Sequence, residues 1–379
     1  MRLILHVQTL NKKTVVIAAV SSRPYLEAAV NSGFDVIAID AFADQDTQRL
    51  AQRLLKLNVN DGLIDGDTIL NYLSSLEQKN LVGFCYGAGF EMQPELLDEI
   101  NQIMPVIGNS ASVLQQCKDP KIFFKYCNKL GVPYPNVSFD TPTKKKGWLK
   151  KTIGSHGGMH IRHLEDIDES DIKNVGNVYF QQFQMGQSVS CLFFVSADAF
   201  FVIGFNEQWS DGDNGLLYRY GGAVSQIELS DLAKFRFTTY VSQLAKNLGL
   251  VGLNSCDAIC DGDDIFILEI NPRLSASIDL YRHMDLLKAH IDYSQISMDG
   301  ATIQYNGMDI KSCAHKVVYS DGDLTVDDKL VWPEWVSDIP KNLFFSIGEP
   351  ICTVHAAAKT ALLAKQMVNE RATILKGSF

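Results

Sequence analysis

No stretch of this sequence is apolar enough to cross a bilayer. The longest unbroken run near its start is Val15–Val20, and the richer LFFVSADAFFVIGF is interrupted by Ser196 and Asp198, far short of the ~18 apolar residues that a membrane span needs. Positive charge is scarce as well. Lysine and arginine number 34 against 44 acidic residues, a formal charge of −10, which disfavours non-specific nucleic-acid binding because phosphate backbones call for a positive surface. The one basic cluster, Lys144–Lys146, reads as a solvated turn. The eight cysteines show no paired spacing, as expected of free thiols in a reducing compartment, and the opening MRLILHVQTLNKK has too short an apolar centre for a secretory signal. A cytoplasmic protein with no membrane and no nucleic-acid partner is the expectation. What is present is ordinary for a globular chain: 379 residues, 46% hydrophobic and 21% charged, enough for two or three lobes with cores of their own. No internal repeat is evident.

The first hundred residues alternate between two periods. VVIAAV (15–20) reads as a buried strand, SSRPYLEAAVNSG (21–33) as a helix closed by Gly33, and FDVIAID (34–40) as a second strand. Helices at Asp44–Leu55, Asp67–Gln78 and Pro94–Met104 and strands at Leu81–Cys85 and Pro105–Ile107 continue the pattern, so residues 1–108 are expected to form a Rossmann-like lobe with a mostly parallel sheet. A dinucleotide fingerprint is missing. Gly87-Ala88-Gly89 follows a strand, but Met92 stands where a third glycine should open a helix, and no G-x-x-x-x-G-K-[ST] loop occurs. Gly87 and Gly89 therefore read as a tight turn, with ligand contact as the lesser alternative.

Beyond Gly108 the pattern changes. Asp119-Pro120 starts a helix over Lys121–Leu130. Strands are then expected at Gly147–Lys151, Met159–Arg162, Val178–Phe183, Val189–Val195, Phe200–Phe205 and Gly222–Gln226, before a helix at Asp231–Leu248. This is an α+β lobe on antiparallel sheet. Within it, FILEINPRLSAS (266–277) ends an apolar strand with Glu269, Asn271 and Arg273 at alternate positions. Setting 251–260 against 265–270 across a turn centred on Asp263 pairs Ile259 with Ile267, Asp257 with Glu269 and Ser255 with Asn271. One face then carries Ser255, Asp257, Glu269 and Asn271, and the other carries Cys256, Ala258, Cys260, Phe266, Leu268 and Ile270. In this register two carboxylates lie ~5 Å apart, which is unfavourable by itself and calls for a positive group between them. Hard oxygens from Asp257, Glu269 and the Asn271 carbonyl suit Mg²⁺ or Mn²⁺ rather than zinc. A solvated hairpin, or a plain Arg273–Glu269 ion pair, is the bland alternative. Cys256 and Cys260 are core, since four residues of strand hold them ~13 Å apart.

A metal that carries phosphates needs lysines and a flexible glycine segment nearby. Lys150 ends a strand, and the following T-I-G-S-H-G-G-M offers Gly154, Ser155, His156, Gly157 and Gly158, whose backbone N–H groups could fold over a triphosphate. Taken singly, the glycine segment is better read as an ordinary hairpin turn and Lys150 as a solvated lysine. QQFQMGQSVS (181–190) turns at Met185-Gly186 between two strands and could present backbone groups to a purine edge, a shape equally good as a plain β-turn.

In this order of parts the chain resembles the ATP-grasp superfamily, over roughly residues 108–295. The matching features are a lysine leading a helix (Lys121), a strand lysine followed by a glycine loop (Lys150, Gly154–Gly158), a hinge before a glycine (Gln182, Phe183, Gly186), and Asp257 with L-E-I-N-P-R (268–273). The first 130 residues and WPEWVSDIP look like the ATP-dependent carboligase group related to biotin carboxylase, some of whose members are associated with tetrahydromethanopterin- or methanofuran-linked one-carbon metabolism. The resemblance implies a Rossmann-like pre-ATP-grasp domain over 1–108, an ATP-grasp domain over 109–300 and a small C-terminal α/β subdomain over 301–379. It implies ATP and Mg²⁺ (or Mn²⁺) as cofactors. Lys121 and Lys150 would contact the phosphates, Gln182 and Phe183 would border the adenine, and Asp257, Glu269 and Asn271 would bind metal. Arg273 would steady the transferred phosphoryl group. Three positions depart from the family pattern: Lys151 stands where proline is frequent, Gln182 where glutamate is, and Gln187 and Ser188 replace the expected ribose-binding acid.

The implied activity is ligation, in which a small-molecule carboxylate is activated as an acyl phosphate and captured by an amine or similar nucleophile. A homodimer is admitted but not required. A phosphotransferase and a non-catalytic nucleotide sensor are the alternatives. Arg23 and Arg282-His283 are weaker candidates for recognising an anionic substrate. In the tail, strands at Lys311–Tyr319 and Pro350–Ala356 and a helix at Ala357–Arg371 are expected. WPEWVSDIP (332–340) reads as a rigid loop packed on the body, and Asp321, Asp323 and Asp327 as a turn rather than a calcium loop.

Overall fold

The structure is a computed structural model, and it describes residues 12–60, 62–168, 177–196, 198–212, 216–293, 311–327 and 329–379. The segment read against a secretory signal falls mostly outside them. Three sheets organise the chain. The first is parallel, in the order Arg53–Lys56, Asp35–Asp40, Thr14–Ala19, Leu81–Tyr86. Its two central strands are buried along nearly their whole length, as a sheet covered by helices on both faces requires. The helix expected over Asp44–Leu55 covers only Gln45–Leu50, and Arg53–Lys56 is the edge strand. The strand expected at Pro105–Ile107 is a single bridge between Phe84 and Val106.

The second sheet is small and antiparallel, ordered Val137–Ser138, Val178–Gln182, Trp148–Thr152, Arg162–His163. The third has eight strands and forms the body of the molecule. Its order is Asp264–Asn271, Gly252–Asp261, Gln187–Val195, Phe200–Ser210, Tyr220–Ser225, Ser312–Tyr319, Pro350–Ala358, Val336–Ser337. The expected division at 300/301 does not coincide with a break in this sheet, because Tyr220–Ser225 pairs directly with Ser312–Tyr319. Helix Asp231–Leu248 packs Phe237, Val241 and Leu244 onto one core, and the final helix, Ala361–Lys376, adds Ala364, Val368 and Leu375 to it. Trp332 and Trp335 of the expected rigid loop lie against the same core.

Two local features position the polar residues between the sheets. Helix Ala111–Lys118, not expected from the sequence, is capped by Ser110, and Asp119 then ends it and caps the next helix, Pro120–Leu130, by accepting from the Lys121 and Ile122 amides. One residue thus sets both ends of a two-helix corner, its backbone amide donating to the Gln115 carbonyl and its side chain capping the next helix. The second feature is a β-bulge. Asp257 faces Glu269 and Ser255 faces Asn271 as expected, but Ala258 faces Ile267, Ile259 faces Phe266 and Asp261 faces Asp264. The hairpin turn is the two-residue Gly262-Asp263, and Leu268 is the extra residue. Ile265 and Ile267 therefore enter the core in place of Phe266 and Leu268, while the acid pair keeps its alignment.

Candidate functional site

A cavity of about 360 Å³ opens between the small sheet and the eight-stranded sheet. Strand Trp148–Thr152 alternates between half-buried and buried residues, and the buried positions are Leu149 and Lys151. It is Lys151 and not Lys150 that lines the cavity. Its Nζ donates to Gln181 Oε1 at 2.7 Å on the neighbouring strand, and burial pushes its pKa down, against the pull of Glu269 and Asp257. The strand phase assumed for Lys150 is off by one.

Lys121 is also displaced from its expected place. It is exposed, with its ammonium 5.3 Å from the centre of the Phe139 ring, and the cavity is lined instead by Lys118. Lys118 is the last residue of helix Ala111–Lys118, where the shared Asp119 cap turns it inward. Its Nζ donates to Glu269 Oε2 at 2.8 Å and to Asn271 Oδ1 at 2.7 Å. The positive group that the paired carboxylates call for is thus supplied by the chain itself.

Asp257 and Glu269 both line the cavity. Asp257 Oδ1 accepts from Gln208 Nε2 at 3.0 Å and Oδ2 from Asn271 Nδ2 at 2.9 Å. Burial and the adjoining Glu269 charge push the Asp257 carboxyl up. Burial would do the same to Glu269, but Lys118 and Lys151 hold it below its ordinary range. The Glu269 side chain keeps 41% of its surface accessible, so it is open to whatever fills the cavity. The bulge adds Leu268 to the same wall.

Asn271 and Arg273 stand behind that wall, nearly buried. Arg273 Nη2 lies 3.3 Å from Asn271 Oδ1, and its Nε donates to Glu91 Oε1 at 2.6 Å. Glu91 is not marked by any pattern in the sequence. It follows the turn Gly87-Ala88-Gly89, whose last amide donates to Glu91 Oε2. That turn therefore aims an acid at Arg273. Burial alone would raise the Glu91 carboxyl, but Arg273, His156 and Lys118 outweigh it and hold the group at about 2.

Gly154, Ser155, His156, Gly157 and Gly158 all line the cavity, as do Gln182, Phe183 and Gly186. Gly158 has φ +74° and a Cβ there would sit 1.9 Å from the Tyr218 carbonyl oxygen, so no other residue fits. Of the weaker candidates, Arg23 is buried and committed to Asp279 and Asp338, and Arg282 pairs with Asp279 and Glu27.

The residues fit a nucleotide polyphosphate and a hard divalent ion. Two ammonium groups and a glycine loop face one cavity. Gln181 Nε2 and His160 Nδ1 are buried without a hydrogen-bond partner, and both residues line it. Such orphaned groups call for a ligand or water. Among the described residues no group of three His, Cys, Asp or Glu side chains could hold a metal, so an ion here would rest on two carboxylates, an amide oxygen and oxygens from elsewhere. No helix among the described residues is long and apolar enough to cross a membrane.

Comparison with known proteins agrees with this geometry. Residues 117–277 match the profile of the ATP-grasp domain. No curated protein matches the chain by sequence. Among solved structures, an L-amino acid ligase from Bacillus licheniformis superposes with a TM-score of 0.70 at 11% identity, over 95% of this chain and 96% of that one. The biotin carboxylase domain dimer of Hydrogenobacter thermophilus 2-oxoglutarate carboxylase, in complex with MgADP, ADP and bicarbonate, gives 0.71 at 13%, over 94% and 89%. Phosphoribosylglycinamide synthetase from Anaerococcus prevotii gives 0.64 at 14%, over 95% and 97%. At these identities the likeness is one of fold.

Proposed function

We propose, for a chain whose residues 117–277 match the ATP-grasp domain profile, that it is an ATP-dependent ligase joining a small-molecule carboxylate to an amine or similar nucleophile. The observation that carries this reading is the convergence of Lys118, Lys151, the 154–158 loop and the Asp257–Glu269 pair on one cavity. The substrate carboxylate attacks the γ-phosphorus of ATP and ADP leaves. The amine then attacks the acyl carbon and phosphate leaves. Lys118 and Lys151 take the phosphate roles that the sequence resemblance gave to Lys121 and Lys150, and the loop amides cradle the phosphate oxygens. Gln182 and Phe183 border the base.

Asp257, Glu269 and Asn271 would hold Mg²⁺ or Mn²⁺, which when bound neutralises phosphate oxygens and aligns the transferred group. Arg273, expected to steady the phosphoryl group, does not line the cavity; held by Glu91, it acts from behind the wall by positioning Asn271. No enzyme nucleophile is needed, so catalysis rests on positioning and charge. A homodimer and a cytoplasmic setting belong to the same reading.

The test is ADP release with magnesium across carboxylates paired with amines, including pterin- and furan-linked amines of one-carbon metabolism, run beside Glu269→Gln. A joined product that the variant fails to make is the expected result. ADP without a joined product would favour a phosphotransferase, nucleotide binding with persistent ATP would favour a sensor, and undiminished turnover in Glu269→Gln would remove the metal role.

A further inference from the structure

Each of the three side chains that a divalent ion would take at this site already accepts a hydrogen bond from the chain. Lys118 Nζ holds Glu269 Oε2 and Asn271 Oδ1 together. The two oxygens of Asp257 accept from Gln208 and Asn271, and Arg273 Nη2 also approaches Asn271 Oδ1. The acid pair is therefore neutralised from within. An ion arriving alone would have to displace an ammonium that makes two short charge-assisted hydrogen bonds, one of them to a carboxylate, and would meet its like charge while doing so.

Lys118 can leave only if another anion takes its charge. It lies at the end of a helix on a flexible four-carbon stem, and it lines the cavity together with Lys151 and the 154–158 loop. A polyphosphate seated on that loop supplies the anion. Resting on the ligase reading above, we propose that Lys118 is an exchangeable counter-ion: it keeps the Asp257–Glu269 pair closed to divalent cations until the phosphates of a nucleotide draw it away. The cation then enters with the nucleotide or after it. The residue that later offsets phosphate charge thus also sets the order in which the two ligands bind.

The experiment is a titration of the full chain with Mn²⁺, following the free-ion signal by electron paramagnetic resonance, with and without ADP. The proteins are wild type, Lys118→Met and Lys118→Arg. Wild type should bind Mn²⁺ weakly alone and much more tightly with ADP. Lys118→Met, which removes the charge and leaves two facing acids, should bind Mn²⁺ alone more tightly than wild type by on the order of tenfold or more. Lys118→Arg should stay close to wild type. If Lys118→Met does not fold by circular dichroism, Lys118→Gln replaces it, keeping a hydrogen-bond donor without the charge.

The proposal is overturned if the neutral variant binds Mn²⁺ alone no better than wild type, or if wild type, shown by calorimetry to bind ADP, then binds no more Mn²⁺ than the protein alone and ADP alone hold separately. A wild type that never binds nucleotide would instead refute the ligase reading, and the Mn²⁺-alone contrast between variants would still decide the role of Lys118.

Discussion

Arg273 Nε and Glu91 Oε1 meet at 2.6 Å although 182 positions separate them in sequence. The pair ties the turn after the fourth strand of the parallel sheet to the residues that follow strand Asp264–Asn271, and neither side chain is more than 10% accessible. Removing one partner of such a pair strands the other's charge away from water. Glu91→Ala should therefore lower unfolding stability by about 3–5 kcal/mol, read from urea denaturation. The pH dependence gives a second check. The folded Glu91 carboxyl titrates at about 2, below its ordinary value of 4.5, so its contribution is complete above 4.5 and disappears as pH falls through 2. The gap between wild type and variant should be full near neutral pH and shrink across that window.

Lys151→Ala should weaken binding of a fluorescent ADP analogue by about tenfold or more, and Lys150→Ala should have a much smaller effect. The difference is positional: Lys151 lines the cavity and meets Gln181, whereas Lys150 sits on the alternate face of the strand. Equal losses, or a greater loss for Lys150→Ala, would contradict the strand phase.

Within the glycine loop the same substitution should have unequal effects. At Gly158 an added Cβ meets the Tyr218 carbonyl, whereas at Gly157, with φ +70°, it meets nothing within 4 Å. Gly157→Ala carries only the left-handed backbone penalty of roughly 1–2 kcal/mol. Gly158→Ala must displace the loop from Tyr218 as well and should abolish nucleotide binding, which calorimetry would show.

Acid should destabilise the protein through its buried histidines. Burial pushes His290 and His315 down to about 4 from the ordinary 6.5, so between those values the unfolded chain binds protons that the folded one refuses. Stability is lost as pH falls through that window, by up to about 3 kcal/mol for each histidine. His315 hydrogen-bonds through Nε2, which lies 2.7 Å from the Tyr220 hydroxyl. His315→Gln should give a shallower fall of unfolding free energy with acid than wild type does.

Much of this architecture is written into local patterns. Asp257 faces Glu269 as the alternation of apolar and polar residues along two strands predicts, although that alternation is broken at Leu268. What the pattern could not convey is the extra residue Leu268: a two-residue turn would have put the acids on the wrong face, and the bulge restores them. The choice between Lys150 and Lys151 was hidden because WLKKT offers polar neighbours on both sides, and only the packing of Leu149 into the interior settles it. Lys118 was missed because its helix, ASVLQQCK, has a weak apolar stripe and ends on the residue that begins the next helix. Glu91 lay behind a failed glycine fingerprint. Its importance rests on a partner far away in sequence, and no short-range pattern reports such a contact.

One ladder of hydrogen bonds runs from Tyr220–Ser225 straight into Ser312–Tyr319. The tail is therefore masonry in the same wall that carries the cavity. Cutting the chain near residue 300 would leave two pieces, each with a raw β-margin that invites self-association, so dissection should spare that seam and probe the intact polypeptide by point substitution.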